Sequence, residues 1–282
     1  MERELLDAYD LGRLADVLPR FEQRAVAFSL SRPSRQVTTR SRLGGRPLLP
    51  PSFAWPRSTE RALDFLLQID LAEVAPLDPA MALPPSGLLT FFYDLVNQPW
   101  GFDPNQLDGF RVVLISDQPV VTADVPDSEV AVPEQALTFS AAVTLPHFGS
   151  RAYDRLEQAC RLSQDEGDRY ADFVDAYEAQ YSPEGSGAHR LLGHSANVQG
   201  DMQLEAQLVS NGLYCGDPSG YEDPRARALE AGADDWTLLL QLDSDDGAEV
   251  MWGDGGKLYY WIRREDLSVR RFERAWMALQ CF

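Results

Sequence analysis

The chain has 282 residues, of which 44% are hydrophobic and 24% are charged. This composition is typical of a globular protein with a substantial core and excludes extensive disorder. The 25 basic and 44 acidic side chains give a formal net charge of −19. A negative field of this size repels nucleic-acid phosphates and anionic lipids, so we predict no nucleic-acid partner and no membrane association.

The cysteines and the N-terminal segment indicate where the protein works. Cys160, Cys215 and Cys281 are far apart and form no C-x-x-C motif, which argues against a zinc ribbon or a redox pair and favours a reducing compartment. The first 30 residues lack the apolar segment of a signal peptide, and no apolar run of about 18 residues occurs. We therefore predict a cytoplasmic protein, with no metal and no other cofactor.

The positive charge is concentrated near the N-terminus. Residues 1–60 contain ten arginines and seven acidic residues, so the rest of the chain carries a net charge of −22. No acidic residue stands between Glu22 and Glu60, where there are seven arginines: Arg24, Arg32, Arg35, Arg40, Arg42, Arg46 and Arg57. We expect this segment to lie across the acidic remainder and to pair with it. The alternative is a site that binds an anion.

The first half of the chain begins with helices and continues with strands. Apolar residues spaced three and four apart before Pro19 predict a helical arm over residues 1–30, in which Phe21–Leu30 forms a second short helix. Residues 31–56 are rich in Pro, Gly, Ser and Arg and are predicted to be irregular. A first β-rich half covers residues 41–134. Its predicted strands are Leu63–Asp70, Gly87–Asp94, Arg111–Ser116 and, at an exposed edge, Val120–Val132.

The second half begins with a predicted helical insertion over residues 151–181, interrupted near Gly167. Its polar face is predicted to be solvent-exposed and contains Glu157, Asp165, Glu166, Asp168, Asp172, Asp175 and Glu178. A second β-rich half covers residues 189–282. It is predicted to contain a turn-rich segment (His189–Gly200), a helix (Asp201–Ser210) and three strands (Thr237–Asp243, Lys257–Ile262 and Trp276–Phe282).

The two β-rich halves contain a faint internal repeat. Phe65–Asp70 is nearly the same as Leu238–Asp243, and Gly, an apolar residue and aromatic residues follow each segment about 15 to 20 residues later. Arg42–Gly45 precedes the first copy, and Arg190–Gly193 precedes the second. Strands without regularly interleaved helices favour antiparallel pairing. We therefore predict a single α+β domain with a mostly antiparallel sheet, two pseudo-equivalent halves, N-terminal helices and a helical insertion.

Several of these motifs resemble those of the YwqG-like bacterial proteins. The motifs that carry the resemblance are Gly44–Pro47, Trp55–Pro56, Phe65–Leu71, His189–Met202, Leu239–Asp246 and Met251–Trp261. They occur in the same order, and the resemblance covers most of the chain from Ser41 to Phe282. It implies a cytoplasmic α+β domain of unknown function, with no catalytic residue to carry over.

The candidate ligand-binding residues are polar or aromatic side chains near turns of the second half: His189, Arg190, His194, Asp201, Asp243 and Trp252. His189, His194 and Asp201 could ligate a metal, but their spacing favours a turn-stabilising cluster. Calcium binding around Asp243–Asp254 is an alternative to a simple acidic turn. For Cys215, a reactive exposed thiol is the alternative to a buried structural residue.

No catalytic motif is present, and the acidic charge therefore dominates the functional interpretation. We predict a binding protein that uses an acidic surface to hold a basic protein partner, for example a toxin that it neutralises. The alternative is an enzyme or small-ligand binder whose site lies in a cleft between the two halves, formed by the six candidate residues.

Overall fold

The computed structural model describes residues 3–31, 39–78, 80–116, 118–126, 130, 132–181 and 187–282. Its strands are β1 (Gln23–Ser31), β2 (Arg42–Leu43), β3 (Leu48–Leu49), β4 (Asp64–Asp70), β5 (Leu88–Tyr93), β6 (Phe110–Ile115), β7 (Val121–Thr122), β8 (Gln135–Thr144), β9 (His189–Leu192), β10 (Trp236–Asp243), β11 (Lys257–Arg263) and β12 (Trp276–Gln280). Its α-helices are α1 (Arg3–Ala8), α2 (Leu71–Val74), α3 (Arg151–Cys160), α4 (Gln164–Ala179), α5 (Met202–Val209), α6 (Ser219–Glu222), α7 (Ala226–Leu229) and α8 (Arg264–Ser268).

Ten strands form one antiparallel sheet in the order β12-β11-β10-β9-β1-β8-β2-β4-β5-β6, and β3 pairs with β7 separately. The sheet curls nearly into a barrel, so its two ends face each other. Phe91 of β5 packs edge-on against Tyr260 of β11 with ring centroids 5.0 Å apart. Phe110 of β6 meets Trp276 of β12 at 5.6 Å. The prediction of an α+β protein with a mostly antiparallel sheet is confirmed.

The two central strands were not predicted. Phe21–Leu30 was predicted to be helical and is instead mostly strand β1, which pairs with β8 over nine residues. Val26 and Phe28 face the main core, whereas Ala25 and Ala27 pack with Tyr181 on the other face. Because both faces of β1 are buried, its sequence lacks the apolar–polar alternation of a half-exposed strand.

The remaining predicted elements agree with the structure to different degrees. Strands β4, β5, β6, β10, β11 and β12 and helix α5 lie where they were predicted, and none of their ends differs by more than two residues. His189–Leu192 was predicted to be part of a turn-rich segment, but it forms β9 between β1 and β10. The edge strand predicted over Val120–Val132 is reduced to the two residues of β7 among the positions that the structure describes there.

The helical insertion consists of two helices, and they break at a different point from the predicted one. Arg161 ends α3 in a left-handed conformation with φ of 49°. Ser163 then begins α4 with a capping box, in which its hydroxyl accepts a hydrogen bond from the Glu166 backbone N–H and the Glu166 carboxylate accepts one in return. Gly167, the predicted point of interruption, lies within the first turns of α4.

The N-terminal segment and the two insertion helices form a separate helical layer, which we define as residues 3–21 and 151–181. Its core contains Leu6, Leu14, Tyr153, Tyr170 and Phe173. This layer covers the face of β1 and β8 on which the small alanines lie. None of the helices in the described parts of the chain combines the length and the apolar character needed to cross a membrane.

On one side of the central pair of strands, β1 and β8, lie β9, β10, β11 and β12, and on the other side lie β2, β4, β5 and β6. These two groups of strands, which we call the two arms of the sheet, share several local features. A bulge lies between Phe65 and Leu67 in β4, and another lies between Leu238 and Leu240 in β10. Two residues after each bulge, a fully buried glutamine binds the backbone of a neighbouring segment. Gln68 Nε2 donates to the Leu48 carbonyl at 3.0 Å, and Gln241 Nε2 donates to the Ala188 carbonyl at 2.6 Å.

Two adjacent tyrosines of β11 allow a stability test of this core. The Tyr260 hydroxyl is buried without a hydrogen-bond partner among the described residues. Tyr260→Phe should therefore raise the free energy of unfolding by about 1 kcal/mol, because it removes an unsatisfied polar group. The matched control is Tyr259, whose hydroxyl donates to the Ala196 carbonyl at 2.5 Å. Tyr259→Phe should lower the free energy by about 1 kcal/mol. Urea denaturation measures both values, and the reverse order would contradict this packing.

Candidate functional site

The six predicted ligand-binding residues do not converge on one cavity but lie in three groups. The first group is organised around the backbone of Asp243. Its N–H donates to His189 Nδ1 at 3.1 Å, and its carbonyl accepts from Trp252 Nε1 at 3.0 Å. The His189 side chain has no solvent exposure and stacks on Phe28 at 5.3 Å. His189 and Trp252 therefore belong to the packed interior, and Asp243 lies at its edge, where its carboxylate is 3.4 Å from Lys257 Nζ.

The acidic turn after β10 is held by its own backbone and by His189. His189 Nε2 lies 3.3 Å from Asp245 Oδ2, and this hydrogen bond is the main reason that the pKa of Asp245 falls to about 2. Asp245 also accepts from the Gly187 and Ala248 N–H groups. Its carboxylate thus fastens this turn to the start of β9 and to the residues that precede it.

The second group is a buried ion cluster between the helical layer and β9. Arg190 donates two hydrogen bonds to the Glu178 carboxylate, at 2.6 and 2.7 Å, and His147 Nε2 lies 2.9 Å from Glu178 Oε1. Burial alone would raise the pKa of Glu178, but Arg190 and His147 hold it well below its usual range. The prediction that Glu178 is solvent-exposed is wrong, because this side chain ties α4 to the sheet.

His194 lies near this cluster but bonds to a different partner. Its backbone N–H donates to Thr144 Oγ1 at 2.8 Å, and its Nε2 lies 2.7 Å from the Phe21 carbonyl. Burial lowers the pKa of His194 to about 4, so the imidazole is neutral at pH 7 and donates its Nε2 proton to that carbonyl. His194 thereby fixes the end of the N-terminal segment to the sheet.

Asp201 forms the third group. It caps α5 by accepting from the Gln203 and Leu204 N–H groups, and Arg151 Nη1 lies 3.2 Å from its other oxygen. Burial raises the pKa of Asp201 above its ordinary value despite these contacts. Its role is therefore to begin the helix and to connect it to α3.

Cys215 and the N-terminal arginines were further candidates for a functional role in the sequence analysis. Cys215 is buried, and burial raises the pKa of its thiol to about 12, so the thiol is protonated at neutral pH. Three arginines of the basic segment form ion pairs with acidic residues further along the chain: Arg40 with Asp70, Arg42 with Glu134 and Arg46 with Asp124. Arg32 and Arg35 lie outside the described residues.

The surface with the clearest pattern is the outer side of the insertion helices. Asp165, Asp168, Asp172 and Asp175 are exposed and follow one another at spacings of three and four, which places them on one stripe of α4. Two exposed acids of α3 complete what we call the acidic helical face: Asp154, Glu157, Asp165, Asp168, Asp172 and Asp175.

Two nearby arginines do not neutralise this face, because other carboxylates hold them. Arg155 pairs with Asp234, and Arg13 donates to Glu166 at 2.6 Å. Arg169 lies beside the stripe and is only partly exposed. The carboxylates of the acidic helical face are therefore available to cations from outside the molecule.

A family model described as "Domain of unknown function (DUF1963)" matches residues 41–281. The chain belongs to the DUF1963 family. A comparison of this DUF1963 protein with curated proteins finds no significant match. The matched region contains both insertion helices and almost the whole sheet, but not strand β1 or the N-terminal helix.

The environment of His194 predicts a specific pH dependence of stability. Its pKa is about 4 in the folded protein and about 6.5 in an unfolded chain, so the unfolded chain takes up the proton first as the pH falls. The stability contributed by neutral His194 is complete above about pH 6.5 and is lost progressively down to about pH 4. At pH 5 the loss is about 2 kcal/mol.

The variant His194→Gln keeps an N–H donor for the Phe21 carbonyl but does not titrate. Urea denaturation at several pH values should therefore show a smaller loss of stability for the variant than for the wild type between about pH 7 and pH 5. The other titrating groups are common to both proteins and cancel in the difference. Parallel pH curves for the two proteins would contradict this account.

Proposed function

We propose that this DUF1963 protein is a binding protein that holds a basic protein partner on its acidic helical face. The observation that carries the proposal is the stripe of four exposed aspartates on α4, extended by two acids of α3, in a chain of net charge −19. A field of one sign attracts an oppositely charged partner over long distances and accelerates association.

The energetics of α4 support this proposal. Asp168 and Asp172 are four residues apart, and each also lies three residues from another aspartate of the stripe. Like charges at these spacings destabilise a helix by about 0.2–0.5 kcal/mol per pair. Arginines or lysines of a partner would remove this repulsion on binding. The gain is greatest where the partner excludes water from the contact.

The best-suited partner class is a compact cationic protein whose activity is blocked when its basic surface is covered. Neutralisation of a toxin is one function of this kind, and it fits a protein that works in the cytoplasm. We also propose that the chain is a YwqG-like member of the family. The support is the order of its motifs, from Gly44–Pro47 in the first part of the chain to Met251–Trp261 in the last.

The alternative prediction was an enzyme or ligand site formed by the six candidate residues in a cleft between the halves. The geometry gives this arrangement no support, because His189 and Trp252 are packed in the interior, Arg190 is held by Glu178 and Asp201 caps a helix. A cleft does occur elsewhere, and none of the six residues lines it.

An acid-to-amide variant of the face tests the proposed function. Proteins captured by the wild type from a cytoplasmic extract should include a basic protein, which is then purified. Substitution of all four aspartates of α4 by asparagine should lower the association rate with this basic protein by about tenfold, as measured by surface plasmon resonance. Raising the salt concentration from about 50 to about 200 mM should lower the association rate of the wild type but hardly change that of the variant.

A control variant with the same change of net charge separates the face from the overall field. It carries Glu60→Gln, Glu222→Gln, Glu230→Gln and Asp235→Asn, all exposed positions outside the face. This control should change the association rate less than about threefold. Equal effects of the two variants, or salt-independent binding by the wild type, would contradict the proposal. Growth of cells that co-express the partner and this protein tests neutralisation.

We further propose that the sheet consists of two pseudo-equivalent halves related by an approximate twofold axis between β1 and β8. The strand order reads the same from both ends, with β2, β4, β5 and β6 matching β9, β10, β11 and β12. Arg42 lies opposite Gln68 in one arm, and Arg190 lies opposite Gln241 in the other. Gly44–Gly45 and Leu192–Gly193 are both left-handed pairs.

The equivalence of the two halves predicts that substitution of either buried glutamine destabilises the protein by a similar amount. Gln68→Leu and Gln241→Leu each remove a side chain that satisfies buried backbone groups, so each should lower the free energy of unfolding by about 2–3 kcal/mol. Urea denaturation of the two variants provides the measurement. A cost confined to one of the two positions would contradict the equivalence.

A further inference from the structure

A cleft with a volume of about 760 Å³ opens at one end of the curled sheet. One wall is formed by residues 75–78 and 80–85, which follow α2, and the other wall is formed by α8 and the residues after it. Between them lie the end of β9, at Leu192, and the start of β1, at Arg24. A volume of this size lies within the range of about 300–1,000 Å³ that is typical of small-ligand sites.

Three arginines line this cleft although the chain as a whole is strongly acidic. The side chains of Arg24 and Arg270 are exposed and have no hydrogen-bond or ion-pair partner among the described residues. Arg264 is also exposed, and its Nη1 donates to the Asp234 carbonyl at 2.7 Å. The cleft therefore offers positive charge that the fold itself leaves largely unneutralised.

The acidic groups around the cleft are mostly directed elsewhere. Asp78, which lines the cleft, is 5% exposed, and its Oδ2 accepts from the Leu83 N–H. Asp266 of α8 lies 3.7 Å from Arg271, which is not a lining residue. Glu265 is exposed on the same helix but does not line the cleft. An anion in the cleft would thus meet arginines before carboxylates.

Apolar side chains form the rest of the walls. Leu83 and Leu267 are buried at the inner surface, and Met81 is 83% exposed on the loop wall. Val269, next to the lining residue Arg270, is 54% exposed. An exposed methionine has a flexible and polarisable side chain, which adapts well to an aliphatic ligand.

The backbone around the cleft is strained at three non-glycine residues. Met81, Leu192 and Arg270 have φ of 50°, 60° and 62°, in the left-handed region. Each costs about 1–2 kcal/mol. Among the described residues seven non-glycine positions have positive φ, and three of them line this one cleft. Strain of this kind clusters at ligand sites, where the surroundings impose the backbone conformation.

We propose that this cleft binds a small amphipathic anion, namely a carboxylate attached to an aliphatic chain. The planar guanidinium groups of Arg24 and Arg270 match the two oxygens of a carboxylate. The chain would lie on Leu83, Leu267 and Met81, where apolar contact replaces water. This site goes beyond the proposed function, because it shares no residue with the acidic helical face and selects the opposite charge.

Titration calorimetry with decanoate below its micelle concentration tests the proposal. We expect saturable binding to the wild type with one site per chain. Acetate has the same head group without the tail, and decyltrimethylammonium has the same tail with a cationic head. Both should bind at least about tenfold more weakly than decanoate, because each lacks one of the two recognised parts.

Substitutions then locate the site. Arg270→Gln and Arg24→Gln should each weaken decanoate binding by about tenfold. The matched control is Arg161→Gln, because Arg161 is also exposed and left-handed (φ of 49°) but lies outside the cleft. It should leave the affinity unchanged. Met81→Glu places a negative charge at the exposed mouth without altering the core, and it should also weaken binding.

The outcomes that overturn the proposal are distinct. Equal binding of decanoate and decyltrimethylammonium would mean apolar binding without anion recognition. Equal binding of acetate would mean an anion site without an apolar part. If the wild type shows no saturable binding of decanoate, the proposal is wrong. It is also wrong if Arg270→Gln, Met81→Glu and Arg161→Gln all bind decanoate with the same affinity, because the ligand would then bind outside the cleft. A thermal melt of each variant confirms that it is folded.

Discussion

The antiparallel pairing of β1 with β8 is the contact on which the rest of the structure depends. These strands are hydrogen-bonded over nine residue pairs, and each of them also holds one arm of the sheet. β9 pairs with β1, and β2 pairs with β8. If this pair were lost, the two arms would have only side-chain contacts and a few loop hydrogen bonds between them. The curl of the sheet therefore depends on its centre as well as on the aromatic contacts at its ends.

The small residues of this central pair determine where the helical layer sits. Ala25, Ala27 and Ala142 present a shallow surface, against which Tyr181 at the end of the insertion packs. The Arg190–Glu178 ion pair then joins α4 to β9 across the same interface. A buried ion pair adds little net stability, but loss of one partner leaves the other charge uncompensated. The pair thus fixes the rotation of α4, which in turn directs its four aspartates to the solvent.

The sequence predicted the outer strands of both arms but not the central ones, for a physical reason. β4, β5, β10 and β11 are long apolar runs bounded by turn residues, and such runs are recognisable without tertiary information. β1 and β8 mix alanine, serine and larger residues, because one face packs against helices and the other against the main core. Their identity as strands depends on pairing with each other, across more than 100 residues of chain.

The contacts of the six candidate residues could not be predicted from the sequence either, because they too depend on the tertiary structure. The sequence placed His189, Arg190 and His194 close together along the chain, but neighbouring residues of a strand point to opposite faces. Consequently His189 meets Asp245, whereas Arg190 meets Glu178 of a distant helix. One indication was available for Glu178, since it lies four residues after Val174 and eight after Tyr170, both buried on the apolar face of α4. Helical spacing therefore marked Glu178 as part of the buried side.

Charge is segregated in this molecule, and the segregation allows the two proposed sites to coexist. The acidic helical face gathers aspartates on an outer surface, whereas the cleft gathers arginines at the end of the sheet. Electrostatic influence falls off over a Debye length of about 8 Å at physiological salt. An anion in the cleft is therefore governed mainly by Arg24, Arg264 and Arg270, and carboxylates more than a Debye length away add only a weak repulsion. By the same argument, a basic partner on α4 meets carboxylates within contact distance and is little affected by the arginines of the cleft.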